Sequence, residues 1–586
     1  MKLSFKRISL TIFLLFLALA AYWLLRYYVW QPLNFDDYVD RLYWERLPED
    51  PEGYTTLLPA IPLDPLLLPL TADSKAFHHF LNKARSPGQM ARQAQALLQA
   101  LATYRPDALS PAQQLIYEQL QAHFRTEVEA AAYPYLHFPL NAVDGQPWPG
   151  IRVLIASHPV SDTEEADAYL SRLRKLPDVV RQALAVSAEY EQQQLRAPQA
   201  LQERSIRQLQ AFISLPPAQN PLYTLLARRL GASSPTAIHE GTRVEYLIRA
   251  ESTLEERVYP ALQQLIGDLE SQLASAPEAP GIWQYPGGDS AYAFVLRKYT
   301  GEALAPDTAF QWGARAVAAA QKQLEGREPI LQAPAQEFAL AGDSLRAYRD
   351  DFFARGNGLF DDLPEARVGI LPADQTMFFQ ETAYAGGSRD GSREAALFLA
   401  AGSSLQSTAY RHLLPGRHLL RSLMLADSGI PHLMLSLPQP AFEEGWAAYA
   451  DALAMEYGFF LESGRPEAYH QAALLDGARL VVDVGIHHLK WTRAAAIEYL
   501  RAVSPNLSEE TRALIADGVI ARPGYAVAAV AGKKKLLELR GRAEAELGPD
   551  FQIRDFHRAV MARGLLSLPL LDRSVGQHIQ SRKKTD

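Results

Sequence analysis

The stretch AYRHLLPGRHLL, residues 409–420, sets the reading of this chain. It places His412 and His418 on either side of the step Pro415-Gly416. The Pro-Gly step and its flanking imidazoles sit where a metal site could be. Arg411 and Arg417 stand beside them, and a guanidinium stays protonated and cannot coordinate a cation. The stretch therefore poses one question: does a helical hydrolase body still hold its metal, or has it lost it?

Outward from this stretch the apolar residues keep a helical period. Residues 442–457 carry Phe442, Trp446, Tyr449 and Leu453 as an aromatic core stripe, with Glu444, Ala447, Ala448 and Asp451 roughly opposite, where a cavity wall would lie. Similar spacing recurs over 201–215, 253–273, 308–324 and 492–503. Ser161 and Glu164 form a capping box that opens another helix, and Pro177 is expected to kink or restart it. Strand-like runs are few, at 152–156, 291–296 and 366–371. The fold class expected is mainly α: a large helical body with a few short strands.

The N-terminus reads differently. Lys2, Lys6 and Arg7 precede ISLTIFLLFLALAAYWLL, residues 8–25, with Asp36, Asp37 and Asp40 beyond it. Eighteen residues at helical rise reach about 27 Å, enough for a thin hydrocarbon core. The charge asymmetry predicts an N-terminus in the cytoplasm and a body on the periplasmic side of the inner membrane. A cleaved signal peptide is the other reading, since Ala18-Leu19-Ala20 has the small-x-small form, but Tyr22-Trp23-Leu24-Leu25 prolongs the apolar run past it. The expected organisation is an anchor or signal at 1–30, a proline-rich extended arm at 31–71, and one helical body at 72–580, with a loop-rich stretch near 329–336 as a candidate divide.

Composition removes several function classes. The formal charge of −8 offers no basic footprint for nucleic acid. The absence of cysteine excludes disulfides, thiolate catalysis, cysteine zinc sites and a lipid-bearing cysteine. Hydrophobic residues at 48% with 21% charged are those of a folded globular chain.

Five blocks follow in order between residues 408 and 571: TAYRHLLPGRHL, FEEGWAAYADALAMEYG, ARLVVDVGIHHLKWTRAAAIEYL, ARPGYAVAAVAGKKKLLELR and FHRAVMARGLLSLPLL. With HFPLNAVDGQPWP, DTEEADAYLSRLRKLP and DGSR upstream, the chain resembles the bacterial "domain of unknown function 885" family. The resemblance implies a mostly helical, zincin-like metallopeptidase body with the hallmark His-Glu-x-x-Pro-Gly-His-His. It implies a zinc held by the first His, one of the paired His and the Glu of a later Glu-Gly-Trp, with the hallmark Glu as general base. In this chain the first ligand position is Arg411, the base position His412, and the paired positions Arg417 and His418; Pro415, Gly416 and Glu444-Gly445-Trp446 remain. The family's Pro-Gly-Gln-Ala-x-x-Tyr-Lys reads Pro523 to Val530, so Ala529 and Val530 stand where a Tyr and a Lys would steady an oxyanion.

At an effective dielectric of 20, a unit charge about 4 Å away contributes about 4 kcal/mol, doubled for a divalent ion. Structural zinc binding is worth roughly 10–16 kcal/mol. Losing ligands and gaining a nearby arginine consumes most of it, so no metal or other cofactor is expected. The sequence suggests instead that Arg411 neutralises a buried Glu444. Arg479, Asp483 and His487 share one helix face, so Asp483 is expected to orient His487. Lys533-Lys534-Lys535 reads as a solvated helix end, and residues 581–586 as a solvated tail.

Three readings stand. The first is a membrane-anchored pseudo-peptidase that binds a peptide or protein without hydrolysing it, in contact with the bilayer through residues 8–25. The second is an active zinc hydrolase with a rebuilt site of His412, His418 and Glu444. The third is a structural envelope protein.

Overall fold

A computed structural model describes residues 12–22, 31–46, 52, 55–56, 81–83, 85–234, 236–327, 338–356, 358–361, 363, 367–372, 382–400, 404–462 and 466–583. Its helices include α1 (Phe35–Arg46), α2 (Pro111–Ala130), α3 (Trp148–Ala156), α4 (Thr163–Gln192), α5 (Gly288–Thr300), α6 (Pro306–Leu324), α7 (Leu405–His412), α8 (Arg417–Ala426), α9 (Pro440–Glu456), α10 (Glu467–His487), α11 (Glu509–Ala521), α12 (Val527–Leu547), α13 (Ile553–Met561) and α14 (Leu568–Lys583). The sheet has three short strands, β1 (Val368–Pro372), β2 (Ala383–Ala385) and β3 (Ala395–Leu399), in the order β1-β3-β2. β1 runs parallel to β3 and β2 antiparallel to it. The protein is mainly helical, as the periodicity predicts.

β3 is the central strand and is buried on both faces, as its apolar run AALFL requires. Ala396 and Phe398 join the core of α3 and α4, while Leu397 and Leu399 pack with Ala409 and Leu413 of the hallmark segment. The period-two alternation of one strand thus ties the N-terminal helices to the site.

Several local expectations are corrected. Residues 152–156 and 291–296 are helical, within α3 and α5. A short apolar run buried all round looks alike in either state. The third run, 366–371, overlaps β1; β2 and β3 were not anticipated. The cap of α4 is Asp162, whose carboxylate accepts from Glu165 N–H, and Ser161 donates to the Glu165 carboxylate, so the box sits one residue later. Pro177 lies inside an unbroken α4. The extended arm is helical over α1, whose Phe35, Tyr38, Val39, Leu42 and Tyr43 enter the main core. The prolines of that region flank this segment, at Pro32 and Pro48, rather than interrupt it. α14 carries the expected tail on as helix to Lys583. The candidate divide near 329–336 lies outside the described residues.

Residues 12–22 are helical, with Ile12 to Leu17 and Leu19 exposed. Among the described residues no helix is long and apolar enough to cross a membrane. Positions 8–11 and 23–25 of the expected span lie outside the described residues.

Two helix pairs frame the site, α6 against α10 and α9 against α12, and glycines set both contacts. A Cβ on Gly477 would fall 2.9 Å from the Gly313 carbonyl oxygen, and one on Gly532 would fall 1.8 Å from that of Ala441. Gly532→Ala is therefore expected to destabilise the protein by about 1–3 kcal/mol through overpacking. Gly541 lies on the same helix with open space around it, so Gly541→Ala should be neutral or stabilising by up to about 1 kcal/mol. Urea unfolding of the two variants checks the contrast; equal effects would mean that the α9–α12 contact is looser than this.

Candidate functional site

The hallmark segment forms a corner. α7 ends at His412, the chain turns through Leu413–Gly416, and α8 begins at Arg417. A Cβ on Gly416 would fall 2.0 Å from the Arg411 carbonyl oxygen, so only glycine fits where the corner folds back on α7. Trp446 of α9, wholly buried, donates its indole N–H to the Pro415 and Gly416 carbonyls at 3.1 and 3.2 Å. Pro415, Gly416 and Trp446 are thus scaffold, and they aim the side chains on either side of the corner at α9 and α10.

Arg411 does not reach Glu444. Its Nε donates to Asp451 at 2.8 Å, and its two terminal nitrogens grip Asp476 of α10 at 3.1 and 2.6 Å. Ser407, one turn earlier on α7, donates to the same Asp451 oxygen at 2.8 Å. Asp451 is fully buried, and its Oδ1 has no hydrogen-bond partner among the described residues. Burial pushes Asp451 up to about 6, against the pull of Arg411 and Ser407. Burial also works to raise Asp476, but the Arg411 charge and the two-pronged contact outweigh it and hold Asp476 below its ordinary value. Desolvation opposes the charge on Arg411, and the two carboxylates more than offset it, so the guanidinium stays charged. Asp451 is the member that takes a proton first.

Glu444 is neutralised by the other arginine. Arg417 donates to Glu444 Oε2, and the Tyr525 hydroxyl donates to Oε1 at 3.0 Å. The expectation that Arg411 neutralises a buried Glu444 is corrected in both parts: the cation beside Glu444 is Arg417, and Glu444 is half-buried. Arg411, at the end of α7, is held by Asp451, two turns along α9 from Glu444, and by Asp476 of α10, whereas Arg417 opens α8 and meets Glu444. Arg421, one turn on, pairs with Glu443.

The histidines diverge. Burial, followed by the charges of Arg417 and Arg411, holds His412 well below its ordinary value, so the ring is neutral; its Nδ1 has no partner among the described residues. His418 is buried and meets the Tyr384 hydroxyl of β2 through Nδ1 at 2.9 Å. The donor set does not fit the zinc that the family resemblance implies, because Arg411 and Arg417 replace two imidazoles and Glu444 is engaged by a guanidinium. Among the described residues no group of three or more His, Asp or Glu side chains is placed to hold a metal ion.

Asp483 and His487 share α10 but do not pair. Asp483 accepts from the Tyr292 hydroxyl at 2.8 Å and from the Gly524 and Ala526 N–H groups at 2.9 and 3.3 Å, pinning the turn before α12. His487 accepts the Ile282 N–H on Nδ1 at 3.2 Å and donates from Nε2 to the Val519 carbonyl at 3.1 Å. Both are fully buried, and backbone groups of neighbouring segments satisfy each where it stands. Burial lowers His487 to about 4 and pushes Asp483 up to about 7, the latter against its three donors. A raised carboxylate makes the native state bind more protons than the unfolded chain between the ordinary range and about pH 7. Its contribution is thus complete below about pH 4 and is lost as pH rises. Asp483→Asn should flatten the fall in unfolding free energy between pH 5 and pH 8, by up to about 1.4 kcal/mol per pH unit below 7. An unchanged slope would mean that Asp483 is ionised throughout.

A cavity of about 500 Å³ opens beside Asp476, between α6, α10 and α12. Ala529 and Val530, the positions where the resemblance places a Tyr and a Lys, lie on its wall with Lys533. The three consecutive lysines are not a helix end: they lie inside α12 and point three ways. Lys533 meets Tyr469, Lys534 pairs with Glu538, and Lys535 pairs with Asp572. Asp476, Tyr525 and Lys533 are the members of the site that sequence reasoning missed, whereas Asp451 was expected on the cavity wall beside Glu444 but not as a partner of Arg411.

Comparisons with known proteins agree with this architecture. A family profile described as "Bacterial protein of unknown function (DUF885)" matches residues 81–575. Among solved structures, the chain is similar to one described as a "putative lipoprotein from Colwellia psychrerythraea", with TM-score 0.81 and 20% identity over 94% of this chain and 100% of that one. It is also similar to a "putative lipoprotein of unknown function from Shewanella oneidensis", with TM-score 0.56 and 12% identity over 92% of this chain and 99% of that one. At these identities the likeness is one of fold. No match was found among the curated proteins.

Proposed function

The chain belongs to the DUF885 family of bacterial proteins of unknown function, and from that premise we propose that it is an envelope-located pseudo-peptidase, which binds a peptide or a protein partner and does not hydrolyse it. The observation that carries this reading is the closure of both hallmark arginines onto carboxylates, Arg411 onto Asp451 and Asp476 and Arg417 onto Glu444. A divalent cation entering this site would have to displace fixed guanidiniums and strand them near its own charge. The scaffold of the corner and a cavity of ligand size support binding without chemistry.

The apolar run at 8–25, with basic residues before it and acidic residues after it, supports anchoring in the inner membrane with the body on the periplasmic side. The similar structures carry lipoprotein descriptions, whereas this sequence has no cysteine to bear a lipid. In this reading the apolar run takes the place of the lipid.

Protein purified without added metal and then dialysed against zinc should take up well under one equivalent, and a chelator should leave its Tm unchanged. Stoichiometric zinc that is lost on His418→Ala would overturn the proposal in favour of a rebuilt centre.

A further inference from the structure

The cavity beside Asp476 has one cation on its wall that makes no ion pair among the described residues. Both Asp476 oxygens are held by Arg411. Lys534 is paired with Glu538 and lies over the Trp312 ring at 5.2 Å. Lys533 is half-buried, and its ammonium donates at 3.0 Å to the hydroxyl of Tyr469 while lying 4.9 Å from the centre of the same ring. Among the described residues it makes no ion pair, and it reaches Asp451 and Asp476 only as a more distant charge. An ammonium carries three donors, so two remain for a ligand.

Apart from Asp476 and the paired Lys534 and Glu538, the wall around that group is apolar: Ala316 from α6, Ala473 from α10, and Ala529, Val530 and Leu537 from α12. Four of these five side chains stop at Cβ or carry two methyls on it, which leaves room for the ligand's own bulk. The volume of about 500 Å³ falls within the range of roughly 300–1,000 Å³ typical of ligand sites. A second hollow, near Phe551 and His578, encloses only about 10 Å³ and holds at most one water.

We propose that this cavity takes the free C-terminal end of an apolar peptide, with the terminal carboxylate on Lys533 and the last side chain against Ala529, Val530 and Leu537. The inference rests on the reading of the site as one that binds peptide without cleaving it, and it names the part of the peptide that is recognised. A carboxylate offers two oxygens to the two remaining N–H groups, and a charge-assisted contact of this kind is worth about a tenfold change in affinity.

The test is calorimetric titration of the full-length protein with acetyl-Ala-Leu as the free acid, with its C-terminal amide, and with octanoate. The acid should bind roughly tenfold more tightly than the amide. Lys533→Met should remove that preference, while Lys534→Met, which alters an ammonium already paired, should keep it. Melting curves of both variants establish that they are folded. Equal binding of acid and amide, absence of binding by either at millimolar concentration, or a preference that survives Lys533→Met would overturn the inference. Binding of octanoate in place of the peptide acid would also overturn it, by making the occupant a lipid. Release of free leucine during the titration would sink the non-catalytic reading separately, and the acid-to-amide ratio would still decide the inference.

Discussion

Arg411→Met is expected to destabilise the protein by about 3–5 kcal/mol, the usual consequence of removing one partner from a buried ion pair. The change leaves Asp451 and Asp476 facing each other across the space the guanidinium filled. Asp451 is fully buried, so its carboxylate must then take a proton or remain charged without a partner. Asp476→Asn in the same background should restore part of the loss, and the two changes together should cost less than their sum by about 0.5–3 kcal/mol. Arg411→Met combined with Glu444→Gln should instead be additive within about 0.5 kcal/mol, because Glu444 belongs to Arg417 and Tyr525 and shares no partner with Arg411. Denaturant unfolding of the five variants decides the matter. Strong coupling to Glu444, or an Arg411→Met change within about 0.5 kcal/mol of wild type, would mean that the network is not as described.

The largest gain expected is of metal. The triple change Arg411→His, His412→Glu and Arg417→His rebuilds the family hallmark around Pro415-Gly416 and releases Glu444 from its guanidinium. Zinc-site formation is worth roughly 10–16 kcal/mol, enough to outweigh the loss of the Arg411 network. The variant should therefore be less stable than wild type without metal, take up close to one equivalent of zinc, and gain Tm when zinc is added. Adding Asp476→Asn should reduce the metal-free penalty without lowering the stoichiometry. Absence of zinc uptake by a folded variant would mean that Glu444 and the corner no longer converge on a metal position. Little hydrolysis is expected even with zinc bound, since Ala529 and Val530 offer no hydrogen-bond donor in their side chains.

How much of the site could be read in advance depended on how local its determinants are. That Arg411 and Arg417 put fixed positive charge into the hallmark segment was legible, because a guanidinium is charged in any environment. That one of these charges would pair with the Glu444 carboxylate was legible for the same reason. Which arginine serves it was not. The choice between Arg411 and Arg417 turns on a corner whose direction is set by Trp446 hydrogen bonding to Pro415 and Gly416, a contact across 31 and 30 positions. The Asp483–His487 pairing failed similarly. Shared helix face allows a contact, but each side chain turned to a backbone group from a different segment, Gly524 and Ala526 for one and Ile282 and Val519 for the other.

The fold shows the same division. Periodic apolar residues over 442–457 and 308–324 give α9 and α6 within two residues at each end, since one helical face must be buried whatever it packs on. Runs that are apolar on every side, at 152–156 and 291–296, carry no period, and their burial among other helices decided their state. The sequence by itself thus determined a mainly helical body, its amphipathic elements and the fixed positive charges at two positions of the hallmark segment. Only the tertiary structure decided the partner of each charge, the three directions of Lys533, Lys534 and Lys535, and the cavity between α6, α10 and α12. The physical reason is range: propensity, periodicity and charge state act over a few residues, whereas a buried charge is satisfied by whatever group the packing of distant helices brings within 3 Å of it.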